Sequence, residues 1–404
     1  MHNSKTDWWI LTLAAALTAF GSALTWTGLP YFVAKDSGNV SHMLGLFVAE
    51  TVASVLMILL SGAISLRWSS RTILIVTELS CGVVLSALYL GYDPLKPHLI
   101  YIAGVIMASI ASLSTVPLKV LTVGLMSETQ LEMWWARRGM IVIVAKLAGT
   151  AAGPILFESL GVNAILFDIA TYMLGAIGIW MIGSRSGGKV ESQSKLGQSL
   201  GALMSGFAAI ISRPRGDALL ILQFASGALG MPLTAAAVSF LQHKSGGDPY
   251  PMSAYWVLGF FAAFTTNALL GTGWLDRMQR SRIYFGTMIL ISAGLFLLGM
   301  ANSWVVVIAA QMVLTVGRVS ADTYLFGLAY RFDESDSRPL TLASADAIYQ
   351  LGAAIGMVSV LLAESGLNQQ WIWIYGTVAL GMCFCVWQKA FSEEPLGTRM
   401  DASS

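Results

Sequence analysis

Charged side chains inside long apolar stretches are the residues of this sequence most suited to chemistry. Arg318 and Asp322 are spaced i, i+4, so a helix would carry a cation and a carboxylate on one face. An arginine at such a position stays charged and can bind an anion, and a carboxylate beside it can exchange a proton. The pattern predicts an anion site linked to a proton. The alternative is a self-satisfied pair that holds the helix in register.

Two lysines inside apolar stretches extend this predicted anion site. Lys119 and Lys146 are expected to join Arg318 in binding solute oxygens, because charges inside membrane segments are costly and usually functional. Lys119 lies near the end of its segment, so the alternative is that its amine extends to the membrane interface. The three cations indicate a solute that carries carboxylates or similar oxygens.

Carboxylates inside apolar stretches are the candidate proton carriers. Glu50, Asp322 and Asp346 are predicted to take up and release the proton, because burial favours a neutral carboxyl and a nearby cation favours a charged one. Glu78 is predicted either to pair with a loop arginine or to line the transport path. Asp168 is expected to be structural.

Aromatic residues in the same stretches are candidates for contact with an apolar part of a ligand. Trp26, Tyr324 and Tyr349 are predicted to line such a pocket, and Tyr31 and Trp256 are further candidates. Aromatic residues in membrane proteins commonly pack or anchor at the interface, and that alternative stays open.

The composition places these residues in a membrane protein. Hydrophobic residues make up 56% and charged residues 11%, which is too little charge for a soluble surface. The net charge of +1 gives no basis for nucleic-acid binding. Three cysteines and four histidines show no metal-ligand spacing, and the sequence has no phosphate-binding glycine loop or nucleophile–base set. We therefore expect no enzyme activity, no metal and no cofactor.

Twelve apolar segments of membrane-spanning length are predicted to position these side chains. The first run is too long for a cleavable signal peptide, so it is predicted to be a span. Two joints between adjacent spans fall near Gly161 and at Asn302-Ser303. The predicted segments are 8–34, 42–66, 71–92, 98–124, 134–160, 161–183, 216–242, 251–275, 283–302, 303–332, 339–364 and 370–391.

The longest polar connection divides the predicted spans six and six. With the N-terminus inside, most arginines and lysines fall on one side, which predicts that both termini are cytoplasmic. We expect a multi-pass protein of the inner (cytoplasmic) membrane that is functional as a monomer. The predicted domains are an N-terminal six-helix half (1–183), a cytoplasmic linker with an amphipathic helix (184–215), a C-terminal six-helix half (216–391) and a cytoplasmic tail (392–404).

The fifth predicted span contains closely spaced small residues. Gly149 and Gly153 allow a neighbouring helix to approach closely, and Pro154 removes a hydrogen-bond donor and bends the helix. Ordinary helix packing would also explain the glycines. We predict that these three residues shape a conformational change, while Arg137 and Arg138 mark the cytoplasmic end of the span.

Two loop motifs carry a family resemblance. The stretch GAISLRWSSR, which begins at Gly62, resembles the cytoplasmic loop motif G-x-x-x-D-R-x-x-R-K of the major facilitator superfamily, with Leu66 in place of the aspartate. The second half keeps the acidic–basic pair. Setting the topology is the other role open to the first-half arginines. The resemblance implies that these residues clamp the halves in one conformation: Gly62, Arg67, Arg71, Asp276 and Arg277.

The fifth span adds to this resemblance. Its stretch from Gly149 to Pro154 resembles the antiporter motif G-x-x-x-G-P-x-x-G-G of that superfamily, without the final glycine pair. The stretches 114–118 and 163–168 resemble the branch of macrolide efflux proteins and bacterial siderophore exporters. The resemblance implies an all-α membrane protein with twelve transmembrane helices in two six-helix halves, and export rather than uptake.

These features lead to one functional prediction and its rivals. We expect a secondary transporter that exports a small organic solute, a carboxylate siderophore or related metabolite, by proton antiport with alternating access. A multidrug or macrolide efflux pump is the second candidate, and an uptake permease or lysolipid flippase of the same fold are further alternatives. The expected partners are the small-molecule substrate, protons and the lipid bilayer, without nucleic acid.

Overall fold

Regular structure in the described part of the chain is entirely helical, as predicted. Most of the seventh and twelfth predicted segments, the predicted linker and the predicted tail lie outside the described residues. The structure is a computed structural model, and it describes residues 4–37, 41–92, 98–126, 131–182, 207–208, 210–212, 220–229, 249–272, 280–332, 338–364 and 381.

Each of the first eleven predicted spans corresponds to a described helix, except that the fourth is divided into two. The helices are α1 (Ser4–Ser37), α2 (Ser41–Ser65), α3 (Ser70–Gly91), α4 (His98–Leu113), α5 (Thr115–Gly124), α6 (Leu131–Leu160), α7 (Ile165–Met181), α8 (Leu220–Leu229), α9 (Pro249–Leu270), α10 (Arg280–Gly299), α11 (Trp304–Phe332) and α12 (Arg338–Glu364).

The outer surface of these helices suits contact with lipid. By length and composition, five stretches of the described chain are able to cross a membrane, and four shorter apolar helices accompany them. Large apolar side chains are exposed along the helices, among them Leu56 (64%), Leu90 (83%) and Trp180 (66%). Such a surface is unfavourable in water and favourable against lipid tails.

The fourth predicted span is a single apolar run in the sequence but is broken in the structure. Helices α4 and α5 meet at Ser114. Pro117 explains the break, because it has no N–H for the carbonyl of Leu113, four residues earlier, and its ring crowds that carbonyl. The hydroxyl of Ser61 on α2 donates a hydrogen bond to the Leu113 carbonyl instead (2.7 Å). Lys119 lies in the second turn of α5, after this break.

Gly161 forms the joint between α6 and α7, at the predicted position. A 3-10 turn, Gly161–Ala164, connects the two helices. Gly161 has a φ of 58°, a left-handed conformation that glycine adopts without the strain of a side chain. The chain therefore passes from one span into the next within four residues.

Each half contains a pair of helices in close backbone contact. In the N-terminal half α1 packs on α6, and a side chain at Gly149 would collide with the Phe20 carbonyl. In the C-terminal half, a side chain at Gly352 of α12 would collide with the Phe224 carbonyl of α8. The first and fifth spans of one half thus pack like the first and fifth spans of the other, as expected for repeated halves.

The two halves meet at the helix ends that contain Gly62, Arg137 and Pro339, which we call the inner end because it is predicted to be cytoplasmic. A side chain at Gly62 of α2 would approach the Pro339 carbonyl of α12 to 3.0 Å. The Arg137 Nε of α6 donates to the Gly271 carbonyl, just after α9 (3.1 Å). The halves are therefore packed together at the inner end.

Candidate transport site

An ion pair joins the two halves. Lys119 Nζ of α5 lies 2.6 and 2.7 Å from the two carboxylate oxygens of Asp346 on α12. The two side chains are 13% and 16% exposed, so Lys119 is held by a carboxylate rather than extended to the membrane interface. Both residues lie in the surface between the halves, formed by α2, α5, α6, α9, α11 and α12, which we call the seam. Their roles in solute binding and proton coupling stay predictions.

The charged pair on α11 shares one face of the helix, as its spacing predicts, but it is loosely joined. Arg318 Nε and Asp322 Oδ2 are 3.9 Å apart, and the side chains are 31% and 43% exposed. Tyr349 of α12 lies close enough to interact with the Arg318 charge. Because a hydrogen bond requires a shorter distance, Arg318 keeps the capacity to bind another oxygen.

Lys146 of α6 belongs to the same region and has no carboxylate partner among the described residues. Its side chain is exposed to an internal cavity. Two cations, Arg318 and Arg138, lie within electrostatic range of its amine, and Glu50 lines the same cavity. Neighbouring cations repel Lys146 instead of neutralising it, so an anion would be favoured here.

The cavity beside Lys146 has a volume of about 440 Å³. The N-terminal half forms most of its wall, and Trp256 and Phe260 of α9 complete it from the other half. Glu50 and Trp26, two of the predicted site residues, line this cavity. The described site therefore has two connected parts, a charged seam and an aromatic cavity with carboxylates, which share Lys146.

Aromatic rings from both halves meet at the cavity wall. The ring centroids of Trp26 and Trp256 are 6.0 Å apart at 82°, an edge-to-face contact, and Phe260 stacks on Trp256 (6.3 Å). Tyr324, by contrast, is 8% exposed and belongs to the main hydrophobic core. Tyr349 lies at the Arg318 charge instead. The predicted aromatic set is thus divided among cavity, core and seam.

Arg138 is a buried cation, although its sequence position suggested a topological marker. It lies about two turns into α6 and is 8% exposed, and its Nε has no hydrogen-bond partner in the described part of the chain. Its guanidinium lies over the Trp135 ring (5.1 Å). Arg137 instead reaches the Gly271 carbonyl. The two arginines look alike in the sequence, and only the helix phase relative to the other half separates them.

A second group of buried polar residues lies inside the N-terminal half. The Thr18 hydroxyl of α1 donates to Glu78 Oε2 (2.8 Å), so Glu78 has a hydroxyl partner rather than the loop arginine considered from the sequence. The Thr171 hydroxyl donates to Asp168 Oδ1 (3.3 Å). Asp168 also lines the cavity beside Lys146, so the structural role expected for it stays a prediction. Within the part of the chain that the structure describes, no three His, Cys, Asp or Glu side chains are grouped to hold a metal ion.

The sequence matches the family model of the Major Facilitator Superfamily over residues 11–356. The chain belongs to this superfamily. Its members are transporters, so the protein is a multi-pass membrane protein and a secondary transporter of small solutes, not an enzyme. No curated protein matches the sequence.

Solved major facilitator structures are similar to nearly the whole chain. The human organic anion transporter MFSD10 (TETRAN) shares 13% identity at a TM-score of 0.73, covering 96% of this chain and 100% of that one. The E. coli fucose:proton symporter FucP shares 12% identity at a TM-score of 0.75, covering 96% and 99%. At these identities the similarity establishes the major facilitator fold.

The fifth-span motif of this major facilitator lies against α1. Gly149 abuts the Phe20 carbonyl, and a side chain at Gly28 of α1 would come within 2.7 Å of the Gly153 carbonyl. Pro154 lies within α6, which continues to Leu160. The close approach predicted from the glycines is confirmed, and a role in conformational change stays a prediction.

The loop-motif residues of the superfamily divide between the seam and one half. Gly62 abuts α12 in the seam. Arg71 donates to the carbonyls of Ile179 and Trp180, so it ties α3 to the end of α7 within the N-terminal half. Arg67 is exposed. The second-half residues Asp276 and Arg277 lie outside the described part of the chain.

Proposed function

We propose that this transporter exports an anionic solute, a carboxylate siderophore or related metabolite, in exchange for protons. The surplus of cations in the seam carries the proposal. Arg138 and Lys146 have no carboxylate partner among the described residues, and Arg318 is held loosely by Asp322. A surface with this excess of positive charge between apolar helices attracts anions and disfavours cations.

The ion pair between Lys119 and Asp346 supports the exchange mechanism. It joins α5 to α12, so it must break each time the inner end opens. Protonation of Asp346 would release Lys119 and permit opening, and loss of that proton to the inner side would restore the pair. The proton thus enters with each opening, and a solute at Arg318 and Lys146 leaves with each closing. This order of events is proton antiport.

Replacing Asp346 tests this mechanism. In vesicles with an imposed pH gradient, Asp346→Asn is expected to keep solute binding and to lose uphill export, because an amide neither carries the proton nor pairs with a cation. Lys5→Gln is the control, because Lys5 is an exposed cation on the predicted cytoplasmic side. Uphill export at the wild-type rate in Asp346→Asn would contradict the proposal.

The Arg318–Asp322 pair favours a second candidate, uptake by proton symport. An anionic solute that binds Arg318 competes with Asp322, 3.9 Å away, for the same cation. A carboxylate deprived of its cation in the membrane interior is stabilised by a proton. When solute and proton each raise the affinity for the other, the two bind at the same time and are transported in the same direction. Loss of coupling in Asp322→Asn but not in Asp346→Asn would select symport, and Arg318→Ala should lose solute binding in both schemes.

The solute class draws support from the cavity and from related structures. MFSD10 is named an organic anion transporter and FucP a fucose:proton symporter, so this fold accommodates both an anion and proton coupling. The Trp26–Trp256 contact suits an additional apolar or aromatic part of the solute. The same rings support a macrolide or other amphiphilic drug as the alternative cargo. Competition assays with carboxylate siderophores, macrolides and lysolipid would separate these cargos.

We propose that both termini lie in the cytoplasm and that the protein resides in the inner membrane as a monomer. The asymmetry of arginines and lysines supports this orientation. Reporter enzymes fused after Ser192 and after Gly247 should then report opposite sides of the membrane. The same side for both fusions would contradict the proposed topology.

A further inference from the structure

Arg138 is a buried arginine without a carboxylate partner among the described residues, whereas buried arginines are ordinarily paired with one. It is 8% exposed, and its Nε has no hydrogen-bond partner among the residues that the structure describes. The contact that the structure gives its guanidinium is the face of the Trp135 ring. An arginine donor left unsatisfied in the interior is unfavourable, because it has lost water without gaining another acceptor. A ligand that supplies oxygens during the transport cycle would remove this cost.

Arg138 also begins a row of three cations along the seam. Arg138 and Lys146 are eight residues apart on α6, which corresponds to about 12 Å along the helix axis. Lys146 lies within electrostatic range of both Arg138 and Arg318. Against these three charges, the described residues offer Asp322, at 3.9 Å from Arg318, and Glu50, which lines the cavity beside Lys146; Asp346 is occupied by Lys119.

The contacts around Arg138 show when it becomes accessible. Trp135 of α6 packs against Phe326 of α11, with ring centroids 4.3 Å apart at 31°, and Lys119 lies over the same Phe326 ring (5.3 Å). These contacts join opposite halves, so they separate when the inner end opens. Arg138 is nearer than Lys146 to the start of α6, so it meets a solute from the inner side first.

We propose that Arg138 is a solute-binding residue and that the transported solute carries at least two separated anionic groups. The proposal rests on the proposed anion transport, because it assigns a further contact to the same solute. One anionic group binds at Arg318 and Lys146, and a second binds at Arg138 once the inner end opens. Dicarboxylates and tricarboxylates can engage both places, whereas a monocarboxylate leaves Arg138 without an oxygen partner.

The test compares anions of different valence on the full-length protein in lipid nanodiscs at constant ionic strength. Citrate, glutarate and butyrate supply three, two and one carboxylates, and their dissociation constants are measured by titration calorimetry. We expect the wild type to bind citrate and glutarate more tightly than butyrate. In Arg138→Gln, citrate and glutarate should each weaken about tenfold, the loss of one charge-assisted contact, while butyrate changes less than about twofold.

Two further variants keep the outcome interpretable. Lys5→Gln removes an exposed cation on the predicted cytoplasmic side and should leave all three dissociation constants unchanged. Arg138→Lys keeps the charge and should retain the preference for citrate over butyrate, which serves as the test if Arg138→Gln does not fold. Loss of that preference in Arg138→Gln with its retention in Arg138→Lys supports the proposal.

Other results overturn it in distinguishable ways. If the anions bind and Arg318→Ala abolishes binding, but Arg138→Gln weakens all three equally or none, Arg138 is structural and the proposed anion transport stands. Retention of the full citrate preference in Arg138→Gln would likewise show that Arg138 is structural, and the proposed anion transport would stand. If none of the three anions binds the wild type, the proposed anion transport and the role of Arg138 both fail.

Discussion

The polar groups inside the N-terminal half and those of the seam are satisfied in different ways. Inside the N-terminal half, Glu78 accepts a hydrogen bond from Thr18 at 2.8 Å. In the seam, Arg318 and Asp322 are 3.9 Å apart, and Lys146 has no carboxylate partner among the described residues. Groups satisfied within one half support its fold. Groups left loosely paired between the two halves suit the proposed solute site.

The ion pair between Lys119 and Asp346 combines features of both regions. It is as short as the contacts inside the N-terminal half, at 2.6 Å, yet it spans the seam. A strong contact that exists in one conformation stabilises that conformation over the other. In the proposed antiport mechanism this pair closes the inner end, and the largest predicted effect concerns it.

Removing Asp346 should open the inner end. In Asp346→Ala, Lys119 is left buried without its carboxylate, a loss of about 3–5 kcal/mol that falls on the closed conformation. Ser65→Cys serves as the reporter, because Ser65 is 3% exposed at the inner end of α2. We expect a thiol reagent to label this position at least about a hundredfold faster in Asp346→Ala than in the protein that keeps Asp346. Unchanged labelling would show that the other contacts of the inner end suffice to close it.

Close packing inside the N-terminal half should be sensitive to one methyl group. Gly149→Ala places a carbon against the Phe20 carbonyl, so α1 and α6 must separate, at an expected cost of about 1–3 kcal/mol in the free energy of unfolding. Gly286→Ala on α10 is the matched control, because nothing lies within 4 Å of the added carbon. Equal unfolding midpoints for the two variants would refute the tight α1–α6 contact.

A variant at Thr18 tests whether the polar group inside the N-terminal half supports the fold rather than transport. Thr18→Val removes the hydroxyl partner of Glu78 and should lower the free energy of unfolding by about 1–2 kcal/mol. Solute affinity and proton coupling, measured in vesicles, should stay at the wild-type level. Loss of coupling without loss of stability would place the N-terminal group in the transport site and remove the distinction between the two regions.

The smallest predicted effect concerns the helix break at Ser114. Ser61→Ala removes the donor to the Leu113 carbonyl and should reduce the free energy of unfolding by about 1 kcal/mol. Ser54→Ala is the control, since Ser54 donates to the Glu50 carbonyl one turn earlier on its own helix, where such local bonds contribute little. A larger loss in Ser54→Ala than in Ser61→Ala would contradict this account of the break.

Much of the fold follows from local patterns in the sequence. Apolar length predicted the spans, and Gly161 marked the joint between α6 and α7, because a glycine with positive φ ends a helix sharply. The spacing of Arg318 and Asp322 predicted their common face. The break of the fourth span was missed, although Pro117 was its signal, because hydropathy alone does not register a missing N–H.

The sequence by itself determined that charged residues of the seam lie inside membrane helices, since apolar length and charge spacing are local properties. Only the tertiary structure decided which of them are paired. It brings Lys119 to Asp346, which is 227 residues away, and it buries Arg138 while Arg137 reaches the Gly271 carbonyl. The physical reason is that a charge inside a membrane protein is stabilised by whatever packs against it from other helices, and that depends on helix phase and on the approach of the two halves.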